Sequence, residues 1–445
     1  MRLRVSRRLR PAVVALALFA GTPLAGVPAA AQEIAAGPTN RTGVYAVGDK
    51  VEWRVELKGA KDVAELGYVI KKGGLTPVKD GKLPLTNGVA TLETPAAEPG
   101  TILVEFKAKV GDKPVRGSAG AVVAPEKVGP SSQPPADFDA FWTAKLADLA
   151  AVPMNAKLEP GDAGKPNVEY AKLTLDNVRG TKVRGQLAKP KKEGKLPALL
   201  IVQWAGVYGL PKSNVVLRAE QGWLCLNIMA HDLPFDQPEA FYKEQSAGPL
   251  KDYTRIGLED RDAWYFLRMY LGCHRATEYL ASHPDWDGKT LVVMGTSQGG
   301  MQSILTAAIQ PKVTAMIANV PGGCDFFGSD VGRTNGWPNP LGAAWDKDKK
   351  KVRDAVRYYD LAYWAPRIKC PALVSVGLID ETCTPPGVFA TCNLMARRPE
   401  MVIMPLSDHQ GRGGAQSAFF KRSEEWLRAL AKGEPVPEPK ATEKK

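Results

Sequence analysis

Ser297 lies in the run Gly295-Thr296-Ser297-Gln298-Gly299, a G-x-S-x-G. An apolar run, Leu291-Val292-Val293-Met294, enters it, and a helix-forming run, 298–309, leaves it. A strand-to-helix elbow needs small residues two before and two after the serine, so that backbone and helix can approach closely. The hydroxyl is then lifted clear of the sheet, and the next amide faces the substrate. In a chain with 43 glycines the pentapeptide alone says little, and its flanks carry the reading. The chemistry implied is nucleophilic attack on a carbonyl. A serine hydroxyl does this poorly at its free pKa and needs a base oriented by a third group.

In a strand–elbow–helix hydrolase the chain order is serine, acid, histidine. The four histidines are His231, His274, His283 and His409, and only His409 follows Ser297. The acid is expected at the end of the preceding strand. Leu373-Val374-Ser375-Val376 runs into Gly377-Leu378-Ile379-Asp380-Glu381, which places Asp380 after a strand and before Pro385-Pro386. Glu381 and Asp408 are its rivals; Asp408 adjoins His409, and neighbouring residues seldom point at each other. The acid would fix the imidazole tautomer and stabilise the imidazolium. An oxyanion hole needs two backbone donors. The Gln298 amide is one, and the loop Gln203 to Gly209 offers Gly206 or Val207, with Val207 taken as the second. His231 follows a strand near the mouth of the site and is the candidate for substrate contact, although a satisfied loop histidine is the favoured plain reading. No second histidine stands at ligand spacing from it, so no metal is expected. His274 and His283 are read as structural. Cys383 and Cys392 are open to pairing or to burial as thiols.

These residues need a scaffold. From about residue 165 strands and helices alternate. Leu199-Leu200-Ile201-Val202 and Leu224-Cys225-Leu226-Asn227-Ile228 are continuous apolar runs, expected of strands buried on both faces. Helices are expected at 259–282, 298–309, 386–396 and 414–431, and further strands at 313–320 and 372–376. This order implies an α/β fold, doubly wound around a mostly parallel sheet. Asp137 is the expected N-cap of an entry helix that carries Phe138, Phe141, Trp142, Leu146 and Leu149 on one face. Ahead of it, Val51, Trp53, Val55 and Leu57 alternate with charged residues, and turn clusters separate several such runs. The segment 32–126 therefore reads as a small all-β, immunoglobulin-like sandwich. It has no histidine and no cysteine. Tyr45, Trp53 and Tyr68 are more in keeping with core packing than with stacking on a sugar. A linker is read at 127–136, around PSSQPP, a catalytic unit at 137–432 and a disordered tail at 433–445. On this reading a chain starting at 130 should fold and act alone.

Residues 1–31 read as a cleaved signal peptide. An Arg-rich start precedes the apolar core 11–20 and the small-residue site Ala29-Ala30-Ala31. Gly21, Pro23 and Pro28 cut the apolar run short of a membrane span. Export to the periplasm or outside is therefore expected. The net charge of +12 falls to +7 without this segment, which leaves 54 basic against 47 acidic side chains. That excess is too mild for a nucleic-acid-binding reading. Six cysteines in 445 residues are far below the density of a disulfide scaffold.

Four stretches resemble the acetyl xylan esterases and cephalosporin-C deacetylases, carbohydrate esterases of the α/β-hydrolase fold. They are DFDAFWTAKLADL, WYFLRMYLGCHRATEYLASHPDWDGKTLVVMGTSQGG, NVPGGCDF and YWAPRIKCPALVSVGLIDETCTPPGVFATCN. The resemblance covers about 137–430 and carries the family's triad onto Ser297, Asp380 and His409. Three positions depart from it. The family's H-G-Y oxyanion loop reads Ala205-Gly206-Val207, its Arg-Gly-Gln reads Ala230-His231-Asp232, and Gln410 stands where Glu follows the histidine. These changes bear on the substrate, and the extra sandwich bears on the family's ring-shaped hexamer. What the resemblance implies is a serine esterase that removes acetyl groups from a carbohydrate ester through an acyl-enzyme, with no cofactor, and the segment 1–31 adds the expectation of export. A peptidase or general carboxylesterase on the same fold is the rival in the same class. A carbohydrate-binding protein with an inert hydrolase domain is the rival in another.

Overall fold

The computed structural model describes residues 32–60, 62–342 and 347–439. The export segment expected at 1–31 and residues 440–445 of the expected tail lie outside them. Eight strands come first: β1 (Glu33–Pro38), β2 (Val44–Tyr45), β3 (Lys50–Lys58), β4 (Glu65–Lys72), β5 (Thr76–Pro84), β6 (Val89–Pro95), β7 (Gly100–Val110) and β8 (Lys113–Val123). They form a three-stranded sheet, β1-β3-β6, and a five-stranded sheet, β2-β8-β7-β4-β5. Their inner faces share one core, because period-2 alternation turns every second side chain inward. In β3, Val51, Trp53, Val55 and Leu57 are buried. Trp53 is fully buried, and its Nε1–H donates to Thr94 Oγ1 at 2.8 Å. Tyr45 and Tyr68 are buried in the same core, so none of the three rings is open to a sugar.

The second unit opens with α1 (Phe138–Ala150). Strands β9 (Lys157–Gly161), β10 (Val168–Asp176) and β11 (Lys182–Pro190) pair antiparallel. Then follow β12 (Leu196–Val202), α2 (Ser213–Glu220), β13 (Leu224–Ile228), α3 (Glu239–Ala247), α4 (Phe266–Ser282), β14 (Trp286–Thr296), α5 (Gln298–Ile309) and β15 (Ala315–Asn319). After a long loop come α6 (Lys349–Val356), α7 (Leu361–Trp364), β16 (Ala372–Gly377), α8 (Pro385–Asn393), β17 (Glu400–Met404) and α9 (Ser417–Ala431). The nine strands form one sheet in the order β17-β16-β15-β14-β12-β13-β11-β10-β9. From β17 to β13 all neighbours are parallel, and β11 turns the edge antiparallel. The strand order reverses at β12, whose successor β13 lies on one side while β14 lies on the other. In open α/β sheets the ligand crevice sits at the carboxyl ends of strands at such a reversal.

Two local expectations differ from the structure. Helix α4 starts at Phe266, not at 259, because Asp260 Oδ1 accepts the amide of Asp262 at 2.8 Å and holds that stretch in a turn. Asp137 stands at the N-cap position of α1, where its carbonyl accepts the Phe141 amide at 2.9 Å, but its side chain makes no cap bond. Its carboxylate instead accepts from the Tyr358 hydroxyl at 2.5 Å and from Arg261 Nη1 at 2.7 Å. A cap bond would also be charge-assisted, but Arg261 brings a full opposite charge to the carboxylate. Helix α1 is anchored by its apolar face, with Trp142 donating to the Tyr358 carbonyl at 2.7 Å and its ring against Tyr359 and Trp364.

The stretch between the two units does not behave as a free spacer. The Ser131 amide donates to Asp325 Oδ1 at 2.8 Å, and Ser132 Oγ lies 2.6 Å from the Tyr363 hydroxyl. The sandwich itself packs against the acid loop. A Cβ on Gly120 of β8 would stand 2.1 Å from the Leu378 carbonyl oxygen, so only glycine fits there. The turn after β4 pairs with the loop before α6: Gly74 bridges Arg333, and the Thr334 amide donates to the Gly73 carbonyl at 2.9 Å. Pro and Ser content reports backbone stiffness and polarity, but not whether a segment docks.

Candidate active site

Ser297 stands between β14 and α5 with φ 59° and ψ −116°. That conformation costs on the order of 1–3 kcal/mol for a residue with a side chain. The surroundings hold it there. The Ser297 amide donates to the Asn319 carbonyl at 2.9 Å, and the Ser297 carbonyl accepts from the Met301 and Gly322 amides at 3.0 and 3.1 Å. A Cβ on Gly295 would lie 2.5 Å from the Gly299 carbonyl carbon, and one on Gly299 would lie 2.7 Å from the Val202 carbonyl oxygen. The two motif glycines are therefore a packing requirement of strand against helix.

His409 reaches the serine from the loop after β17, with Nε2 at 2.9 Å from Ser297 Oγ. Its Nδ1 lies 2.8 Å from Asp380 Oδ2. The Asp380 side chain is fully buried, and its other oxygen accepts the amides of Thr382 and Cys383, each at 2.8 Å. A carboxylate facing Nδ1 makes that nitrogen the protonated one, which leaves Nε2 free to take the serine proton. The structure thus brings Ser297, His409 and Asp380 together in one relay. The rivals for the acid lie elsewhere. Glu381 is exposed, and Asp408 pairs with Arg412 at 3.1 Å.

Asn319 and Gln416 support this relay, and nothing in the sequence singled them out. Asn319 takes the Ser297 amide on its carbonyl, while its side chain donates to Gln416 Oε1 at 2.9 Å. Gln416 in turn donates to the His409 carbonyl at 3.0 Å. Nucleophile and base are thereby tied to one another through backbone. Their only sequence signal is placement, Asn319 at a strand end and Gln416 at a helix start. Cys383 Sγ lies 4.0 Å from Ser297 Oγ. Burial pushes its thiol well above the ordinary range, so it stays protonated beside the serine. Cys383 and Cys392 are both buried free thiols.

The loop after β12 forms the other wall. Gly206 has φ 116°, open in practice to glycine alone. Gln298, wholly buried, donates through Nε2 to the Trp204 carbonyl at 3.3 Å, and its Oε1 accepts the Tyr253 hydroxyl at 2.6 Å. The amides of Gln298 and Val207 donate to no acceptor among the described residues. His231 is not at the substrate side. It is 2% exposed, with Nε2 at 3.0 Å from the Gly206 carbonyl oxygen and Nδ1 at 2.6 Å from the Tyr265 hydroxyl. Both polar atoms are taken, so it sits behind the loop and offers nothing to a ligand. Burial lowers its pKa to about 4, with Arg268 nearby adding to this. It is therefore neutral at pH 7. A carbonyl can only accept, so Nε2 carries the hydrogen and Nδ1 accepts from Tyr265. Trp204, by contrast, is 56% exposed at the rim beside Tyr208.

The arrangement can attack a carbonyl carbon and shuttle one proton. The acetyl xylan esterase family (AXE1) matches residues 126–428. The acetyl esterase Axe7A of Xylanibacter ruminicola is 31% identical over 381 residues, covering 84% of this chain and 85% of that protein. Two solved structures are similar in fold. Acetyl xylan esterase 1 from Thermoanaerobacterium sp. JW/SL YS485 has a TM-score of 0.59 and 23% identity, over 69% of this chain and 97% of that one. The acetyl xylan esterase from Paenibacillus sp. R4 has a TM-score of 0.56 and 24% identity, over 67% of this chain and 98% of that one.

Proposed function

The chain belongs to the acetyl xylan esterase family and is a carboxylic ester hydrolase, and on that premise we propose that it removes acetyl groups from a carbohydrate ester, such as acetylated xylan, through an acyl-enzyme. The observation that carries the mechanism is the relay Ser297–His409–Asp380 at 2.9 and 2.8 Å. Ser297 Oγ attacks the acetyl carbonyl carbon while His409 Nε2 takes its proton. The resulting oxyanion is received by the Gln298 and Val207 amides. As the tetrahedral centre collapses, the C–O bond to the sugar breaks, and His409 gives its proton to the departing sugar oxygen, which leaves as a hydroxyl. A water then loses a proton to His409 and attacks the acetyl-serine; as acetate leaves, His409 returns that proton to Ser297 Oγ and the serine is restored. Trp204 offers the exposed flat face on which a sugar ring packs.

Residues 1–31 support an exported protein, and mass spectrometry of the secreted chain should find Gln32 at its start. The substrate reading is tested by acetate release from acetylated xylan, run beside a dipeptide-amide panel. Acetate from xylan, absent in Ser297→Ala, is the expected result. Hydrolysis of the amides without acetate release would make the protein a peptidase and overturn the reading.

A further inference from the structure

His231 is a buried polar side chain that the reaction itself does not use, and both of its bonds go to groups with a geometric consequence. Its Nε2–H donates to the carbonyl of Gly206 at 3.0 Å. The only cis peptide among the described residues is Trp337–Pro338, so the Gly206–Val207 peptide is trans. In a planar trans peptide the C=O and the following N–H point in opposite directions, and turning one turns the other. The bond from His231 therefore decides where the Val207 N–H points. The preceding peptide is held as well. The Gly206 amide donates to the Tyr253 hydroxyl at 3.3 Å, and that hydroxyl donates to Gln298 Oε1. Gly206, with its positive φ and no Cβ, is free to flip unless something on each side stops it.

We propose that His231 is a positioning residue for the oxyanion hole: by gripping the Gly206 carbonyl it turns the Val207 N–H away from itself and toward the carbonyl oxygen of the ester. Tyr265 completes the device. Its hydroxyl donates to His231 Nδ1 at 2.6 Å, which forces the hydrogen onto Nε2, where the carbonyl needs it. The rings of Tyr253, Tyr265 and His231 pack against one another, with centroids 4.8–5.8 Å apart, so the imidazole cannot swing out. The proposal rests on the esterase reading above, since it concerns the same transition state.

The test uses the full chain and p-nitrophenyl acetate, with a trifluoromethyl ketone as the probe of oxyanion binding. His231→Phe keeps a buried ring but has no donor. It should lower kcat by about 10²–10³, the loss seen when one oxyanion donor is removed, with KM changed less than about threefold. The affinity for the ketone, whose serine adduct carries an oxyanion, should fall in parallel. His231→Gln, which can present an N–H near the position of Nε2, should recover at least tenfold over His231→Phe. Should His231→Phe fail to fold, His231→Asn replaces it, being polar but too short to reach the carbonyl, and the same losses are expected. Equal kcat for the Phe and Gln variants, a loss confined to KM, or unchanged ketone affinity would overturn the proposal. Parent turnover of acetylated xylan checks the substrate reading separately, because the ratios among variants are read on the small ester.

Discussion

Replacing Asp380 by asparagine changes one atom, and the hydrogen bonds around it dictate how the amide must sit. Asp380 Oδ1 accepts two amides, Thr382 and Cys383, both at 2.8 Å, while Oδ2 meets one N–H, that of His409. An asparagine has one oxygen and one NH₂. Facing its NH₂ toward the two amides would leave three buried donors against each other with no acceptor. The oxygen therefore goes to Thr382 and Cys383, and the NH₂ turns to His409. Nδ1 must then accept, the ring hydrogen moves to Nε2, and Nε2 can no longer take the proton of Ser297. The same substitution in a serine protease lowers kcat by ~10⁴, equivalent to about 5.4 kcal/mol in the barrier. We expect a loss of that size for Asp380→Asn at saturating p-nitrophenyl acetate, with Tm little changed because every buried group keeps a partner. Glu381→Gln and Asp408→Asn should stay within about tenfold of the parent, since Glu381 is exposed and Asp408 is engaged by Arg412. Turnover of the three single variants, measured side by side, decides the matter. A kcat for Asp380→Asn within tenfold of the parent, or a crippled Glu381→Gln or Asp408→Asn, would refute the tautomer argument.

Ser297→Ala should lose turnover by about 10⁶, and a sulfonyl fluoride should label the parent at Ser297 alone, as read by mass spectrometry of the adduct. Gly120→Val should both lower Tm and reduce kcat, because the new side chain meets the Leu378 carbonyl two residues before Asp380; a stable variant with parent kcat would mean that the sandwich does not hold the acid loop. His231 is neutral in the fold and holds its proton off down to about pH 4, whereas an unfolded histidine binds one below ~6.5. The unfolded chain thus binds the extra proton between these values, and stability falls as pH falls through that window. Denaturant melts at pH 7.5 and 4.5 should show His231→Gln losing roughly 2–3 kcal/mol less than the parent on acidification, and equal losses would contradict a neutral His231. Trp204→Ala should raise KM for acetylated xylan while sparing p-nitrophenyl acetate; equal effects on both would remove the sugar-stacking role.

The parts of the site that were legible in sequence share one property, a dependence on local backbone. The elbow shows because strand, serine and helix are contiguous in the chain and Gly295 is set by Gly299 four residues on, although Gly299 itself is set by the distant Val202 carbonyl. His409 shows because, of the four histidines, it alone follows the serine. The alternation of β3 and the apolar runs of β12 and β13 show because burial acts on each strand separately. What escaped depends on contacts between segments far apart in the chain. The bond from His231 to Gly206 joins two loops, and no spacing announces it. Asn319 and Gln416 are ordinary amides until the fold sets them between nucleophile and base. Asp137 has the residue type of a cap, but Arg261 and Tyr358 claim its carboxylate from distant positions. The Pro-rich stretch before α1 looks like a spacer for the same reason, since its anchors, Asp325 and Tyr363, lie almost two hundred residues or more downstream.

The contact between Gly120 and Leu378 also orders events during synthesis. The strand bearing Gly120 leaves the ribosome first, and the carbonyl it must receive is made 258 residues later, an interval on the order of tens of seconds at ~5–20 residues per second. For that time the sandwich can close its own two-sheet core while its outer docking surface has nothing to cover it. The acid loop and the histidine loop come late in the chain, so the surface that braces the catalytic relay is made before two of the relay's three members.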